Sequence, residues 1–272
     1  MSELSLSLVQ MRVTDDKDDN VDRAVELIEQ AHQSGPDVVA LPENFYFFGT
    51  DEQIRKEAET LTGPTMTRLR GLADELGVYI VTGTMKLRDQ EGDIKNTCCV
   101  VSPDGDVTDI YNKLHVFQAE VGDRSYQSID SPGSEIVVTD IADVPVGLTV
   151  CYDVRFPELY RILALRGAKV VLIPAMFTLH TGKDHWKTLL KARAIENGVF
   201  VAAPAVLGQR PPDDDWAYGR SLVADPWGLI VKRASDRETT VTVDLDLSLV
   251  DEARNKIPTL PQRRPGVYDW PE

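Results

Sequence analysis

A chain of 272 residues with 42% hydrophobic and 27% charged residues is long enough to bury a substantial core and has the balance of a globular protein. No window holds 18 consecutive apolar residues, which argues against a membrane-spanning helix. The formal charge of -15 and pI near 4.7 argue against general nucleic-acid or anionic-membrane binding, since both need a basic surface.

Residues 4–11 alternate like a strand and lack a basic leader, which points to a cytoplasmic protein. Asp19 or Asn20 then caps a helix with Val21, Ala24, Val25, Ile28 and Ala31 on one face, closed by Gly35-Pro36. Residues 37–41 form a buried strand that runs into Pro42-Glu43. A helix follows Pro64 and stops at Gly77; residues 78–84 are a strand. Segments 96–102 and 106–112 form a hairpin turning at Pro103-Asp104-Gly105, and residues 116–133 read as a long loop of the kind that carries function. A strand ends at Val150, and Pro157 opens a helix that stops at Gly167. The strand 169–174, a helix at 184–197 ending at Gly198, and the apolar run 199–203 follow. A hairpin over 221–233 and a strand at 239–245 precede a Pro- and Arg-rich tail, 258–272, suited to packing at a subunit interface. Nothing forces a domain boundary, so 1–272 reads as one α/β domain.

Acidic residues are dispersed, as in Thr14-Asp-Asp-Lys-Asp-Asp19, Asp213-Asp-Asp215 and Val243-Asp-Leu-Asp246. That pattern suits a halophilic protein, whose self-repulsion salt would screen. Cys98 and Cys99 are adjacent in a strand and face opposite ways, so they read as core residues and not as a disulfide or a metal clamp. The four histidines lack zinc spacing, and neither nucleotide-binding glycine motif occurs, so no metal and no cofactor is expected.

Three reactive side chains share one context, following the end of a buried strand: Glu43 after Val38–Pro42, Lys113 after Val107–Asn112, and Cys151 after Val146–Val150. Strand ends are where ligands bind in α/β proteins. A carboxylate, an ammonium and a thiol together make a base, an oxyanion stabiliser and a nucleophile. Cys151, just ahead of a helix N-terminus, is expected to be held as thiolate. Asp153 and Arg155 read as structural ion-pair residues, and His115 and His185 as packed histidines.

Leu41-Pro-Glu43-Asn-Phe45, Tyr111-Asn-Lys113-Leu-His-Val-Phe117 and Cys151-Tyr-Asp-Val-Arg155-Phe-Pro-Glu158-Leu resemble, in order, the three signature segments of the nitrilase superfamily of carbon–nitrogen hydrolases. Gly182-Lys-Asp-His185-Trp186 and Gly219-Arg-Ser221 extend the similarity, which is nearest the nitrilase-like amidase branch. The resemblance implies a four-layer αββα sandwich, assembled as a homodimer or larger homo-oligomer. It implies an amidase that cleaves a small linear carboxamide to acid and ammonia through a cysteinyl thioester. N-carbamoyl amino-acid or nitrile hydrolysis, or a catalytically silent binding role, are its alternatives. It assigns Glu43 as general base, Lys113 as oxyanion stabiliser with the Tyr152 backbone N–H, and Cys151 as nucleophile. Glu120 matches a second glutamate of some members, and Phe177 and Trp186 are candidates to line the pocket.

Overall fold

The computed structural model describes residues 3–121, 124–212 and 215–268. Two sheets organise it. The first has seven strands, in the order Thr239–Asp246, Glu3–Gln10, Val38–Ala40, Tyr79–Val81, Ile94–Val101 and Met85–Arg88, with Val107–Asn112 also paired to Ile94–Val101. The second has six: Ile230–Arg233, Leu222–Ala224, Phe200–Ala203, Val170–Leu172, Val144–Leu148 and Val138–Ile141.

Side-chain alternation decides how these sheets stack. Leu4, Leu6 and Leu8 join Val146, Leu148, Val170 and Leu172 in one interior cluster between the sheets. Val9 and Met11 turn the other way, into a cluster with Val21, Leu27, Ile28 and Leu69. Those last residues belong to helices Lys17–His32 and Pro64–Leu76, which cover the outer face of the first sheet. Leu159 and Leu163 of Pro157–Leu165, with Leu190 and Ala194 of Lys187–Asn197, cover the second. The result is the expected αββα sandwich. Each fully buried Leu or Val contributes roughly 1.5–3 kcal/mol, so the interior shared by the sheets holds their strand ends in register with one another. Cys98 faces the inter-sheet core and Cys99 the helix layer; neither is in a disulfide.

Local chemistry moves several boundaries. Asp16, not Asp19 or Asn20, caps the first helix, accepting from the Asp19 N–H. Asn20 lies inside it, accepting from the Thr14 N–H and donating to the Tyr46 carbonyl. The helix expected from residue 184 is α-helical over Lys187–Asn197, after a wider turn at Gly182–Trp186. Helix Asp51–Glu57 buries Ile54 alone and so shows no apolar stripe; its sequence signal is the Thr50/Gln53 capping box. Helix Ser248–Lys256 buries only Val250 and Ala253 and has no side-chain cap to announce it.

The long loop at 116–133 contains an antiparallel hairpin, Gln118–Val121 with Arg124–Gln127. A second hairpin pairs Leu207–Arg210 with Asp215–Tyr218. Of the acidic run 213–215 only Asp215 falls within the described residues, and tail residues 269–272 lie outside them. No helix of the described residues is long and apolar enough to cross a membrane.

Candidate active site

Glu43, Lys113 and Cys151 each emerge just past a strand end and meet at one cavity of about 150 Å³. All three are nearly buried, at 4%, 5% and 9% exposure. Lys113 Nζ donates to Glu43 Oε1 at 2.7 Å, and Asn96 Nδ2 donates to the same oxygen at 3.0 Å. The other oxygen, Oε2, accepts the Met176 backbone N–H at 2.9 Å. The Cys151 thiol lines the same cavity, close enough to the Glu43 carboxylate to feel its charge.

These contacts set the charges. Burial pushes the Glu43 carboxyl up, but the Lys113 ammonium and the hydrogen bonds overcome it and hold the group below its usual range. Burial works against the Lys113 charge, yet the carboxylate beside it leaves the lysine pKa raised. Burial first, and the Glu43 charge second, raise the Cys151 thiol. The resting site is therefore carboxylate, ammonium and neutral thiol. This corrects the expected thiolate, and topology gives the reason. Residues Cys151–Arg155 form a short 3₁₀ turn, and the α-helix starts only at Pro157. The helix at Pro157 therefore starts beyond the turn that carries the sulfur, and the charge that neighbours the sulfur is a negative carboxylate.

Backbone strain marks the same spot. Cys151 has φ +47° and Asn44, next to Glu43, has φ +54°. Asn tolerates this left-handed region; for Cys it costs about 1–3 kcal/mol. The Cys151 N–H bonds to the Pro174 carbonyl at 2.9 Å, and buried Asp153 braces the turn. Asp153 accepts from the Val150 N–H (2.8 Å), the Tyr111 hydroxyl (2.6 Å) and the His115 N–H (3.1 Å), with His115 Nδ1 at 2.7 Å. Tyr152, second in the turn, lines the cavity, and its N–H has no acceptor within the turn.

Other expectations divide. Phe177 lines the cavity, whereas Trp186 does not: it stacks behind Phe177 at 4.9 Å and donates to the Arg220 carbonyl. Glu120 is exposed on the Gln118–Val121 strand, away from the cavity lining. Its strand belongs to a hairpin that a loop reading of 116–133 could not orient. His115 is packed, stacked on Phe156 at 3.5 Å.

Arg155 corrects the ion-pair reading. Among the described residues no carboxylate pairs with it; it lies over the Tyr152 and Phe177 rings, contacts His185 Nδ1 at 3.3 Å and lines the cavity. Sequence reasoning also missed Asn96, Lys86 and Asp130 on the cavity wall. Asn96 sits in the strand leading to the hairpin, where only its polarity amid apolar neighbours could have flagged it. Among the described residues no group of three His, Cys, Asp or Glu could hold a metal ion.

A family model for carbon–nitrogen hydrolases matches residues 5–255. Among characterised proteins, omega-amidase NIT2 of Xenopus tropicalis is 36% identical over 280 residues, covering 100% of this chain and 99% of that one. The Homo sapiens omega-amidase NIT2 is 35% identical, covering 98% of each. The solved Nit3 of Saccharomyces cerevisiae, a member of branch 10 of the nitrilase superfamily, superposes with a TM-score of 0.87 at 32% identity, covering 97% of each chain. The C. elegans NitFhit protein gives 0.91 at 33% identity, over 99% of this chain and 67% of that one. A mutant amidase from Nesterenkonia sp. AN1, with the acetamide moiety of fluoroacetamide bonded to its active-site cysteine, gives 0.78 at 25% identity, over 97% of this chain and 95% of that one.

Proposed function

The chain belongs to the carbon–nitrogen hydrolase family and is an amidase working through an active-site cysteine; we propose that this cysteine is Cys151, with Glu43 as its base and Lys113 as oxyanion donor. The observation that carries the assignment is the shared cavity: Glu43 holds the Lys113 ammonium at 2.7 Å, and the Cys151 thiol lines the same cavity within reach of that carboxylate's charge.

Glu43 takes the thiol proton as Sγ bonds to the carboxamide carbon, and the carbonyl π electrons move to oxygen. That oxyanion lies between the Lys113 ammonium and the Tyr152 N–H, a contribution of about 3 kcal/mol per donor. Collapse of the tetrahedral intermediate breaks the C–N bond, and Glu43 returns the proton to the departing ammonia. A water, deprotonated by Glu43, then attacks the thioester; the C–S bond breaks, the thiol recovers its proton and the carboxylic acid leaves.

The relatives named omega-amidases support a terminal carboxamide as the substrate. A cavity of about 150 Å³ favours a short chain, and Arg155, without a carboxylate partner among the described residues, favours one that carries an anion. Three free cysteines and the acidic surface support a reducing, cytoplasmic setting and a halophilic adaptation. Ile195 and Trp227 are each about half exposed, and Ile195 packs against Gly228, the residue after Trp227. With Val267 and Tyr268 of the exposed tail, they support a homo-oligomer. Assaying ammonia release from linear terminal amides, N-carbamoyl amino acids and nitriles tests the reading. Turnover of the amides supports it, and turnover confined to the other two classes overturns it.

A further inference from the structure

Beside the Glu43–Lys113 pair the cavity wall holds a second buried ion pair to which the mechanism gives no task. Lys86 Nζ donates to Asp130 Oδ2 at 2.7 Å, with side-chain exposures of 6% and 4%. Lys86 stands directly opposite Asn96 across two antiparallel strands, and Asn96 is the residue that holds Glu43. Cross-strand partners of this kind lie side by side on one face of a sheet, which puts the second pair next to the first. Ser128 Oγ also donates to Asp130 Oδ2, at 2.6 Å. The other oxygen, Asp130 Oδ1, is buried and accepts nothing. A buried carboxylate oxygen without a donor is costly, and a fold retains one where a ligand or water completes it.

Two more wall acceptors share this state, Asn44 Oδ1 and Asn96 Oδ1. Both sit beside Glu43 in chain or by hydrogen bond, so the reacting groups are the donors nearest to hand for them. Asp130 is bonded to neither catalytic group. It follows the Arg124–Gln127 strand in the chain and lines the cavity with its free oxygen uncommitted to the reacting groups.

We propose that Asp130 is a specificity-determining residue, its Oδ1 accepting a hydrogen bond from an amino or hydroxyl group on the chain of the amide substrate. Lys86 neutralises and fixes the carboxylate, so an uncharged donor suffices and no ammonium is required. The substrate class is then a short terminal amide that carries an N–H or O–H donor besides its carboxylate. This deepens the amidase reading and rests on it.

The test uses three substrates of one length and one carboxylate: L-glutamine (donor an α-ammonium at neutral pH), 2-hydroxyglutaramate (uncharged hydroxyl donor) and glutaramate (no donor). The wild type should turn over at least one donor-bearing amide with kcat/KM about tenfold or more above glutaramate, the scale of a hydrogen bond to a charged acceptor. Lys86→Met with Asp130→Leu removes both charges together and leaves neither buried alone; it should bring that ratio close to one, whatever happens to the absolute rates. Asp130→Asn, judged by the same ratio and by thermal unfolding, guards against misfolding of the double variant and should lower the ratio less than it does, because a neutral carbonyl oxygen is a weaker acceptor than a carboxylate. A wild-type ratio near one, or a ratio the variants leave unchanged, overturns the proposal and assigns Oδ1 to a water. Failure of the wild type to release ammonia from any of the three removes the amidase reading itself.

Discussion

The backbone N–H of Met176 donates to Oε2 of Glu43 at 2.9 Å across 133 residues of chain. Glu43 leaves the first sheet and Met176 follows the Val170–Leu172 strand of the second, so this bond ties the two halves of the sandwich together at the reacting carboxylate. With Asn96 and Lys113 on Oε1, the carboxylate is held at both oxygens and cannot rotate away from the thiol. A base so fixed has little orientational freedom left to lose at the transition state.

Asn96 is the neutral part of that clamp. Asn96→Leu removes one hydrogen bond to a charged acceptor, a loss of about 1.5–3 kcal/mol. We expect kcat to fall roughly tenfold or more while KM moves little, because the side chain holds the base. Steady-state ammonia release decides it; a change confined to KM would make Asn96 a substrate contact.

Removing Lys113 does two kinds of damage. Lys113→Met takes away an oxyanion donor, expected to cost about 10²–10³ in kcat. It also strands the Glu43 charge in the interior, expected to cost about 3–5 kcal/mol of stability. Adding Glu43→Gln to this variant should restore most of the stability and none of the activity. If the double variant melts as low as the single one, the pair is not the source of the loss.

The three strand-end residues were legible because a charged or nucleophilic side chain directly after a buried strand stands out in one dimension. Apolar runs such as Val38–Leu41 and Lys169–Pro174 marked an α/β protein, and the four-layer sandwich followed from the resemblance of the signature segments. What stayed hidden depends on register. Asn96 and Lys86 matter because two strands pair with those residues opposite. Asp130 matters because a loop folds back onto Lys86, 44 residues away. Asp153 and Arg155 looked like structural ion-pair residues; instead Asp153 spends its oxygens on Tyr111, His115 and the turn backbone. No spacing rule reports such choices.

Alkali should unfold this chain earlier than acid-base balance at the surface would suggest. Burial raises the thiols of Cys98, Cys99 (to about 12) and Cys151 and the phenols of Tyr46, Tyr111 and Tyr160. In the unfolded chain these ionise near about 8.5 and 10. A raised folded pKa gives stability that is complete below the unfolded value and is lost as pH climbs towards the folded one. The urea midpoint is therefore expected to be level from pH 7 to 8 and to fall above about pH 9, each such group contributing about 1.4 kcal/mol per pH unit. A midpoint unchanged between pH 7 and 10 contradicts this.

The state of the Cys151 sulfur before substrate arrives separates two versions of the chemistry. A preformed thiolate would absorb near 240 nm and react with iodoacetamide unaided. The site instead gives a thiol beside an ionised Glu43, its pKa raised by burial and by that neighbouring charge. The wild-type spectrum minus that of Cys151→Ala should therefore show no thiolate band at pH 7. Glu43→Gln, which lacks the base, should lose about 10²–10⁴ in turnover without gaining a band. Cys151→Ala should abolish turnover while unfolding at nearly the wild-type temperature, because the backbone bond to Pro174 and the Asp153 brace do not involve the sulfur. Cys151→Ser should be almost as inactive, since a hydroxyl is far harder for a carboxylate to deprotonate than a thiol. A thiolate band in the resting enzyme would transfer the activating role from Glu43 to Lys113 and make the first proton transfer unnecessary.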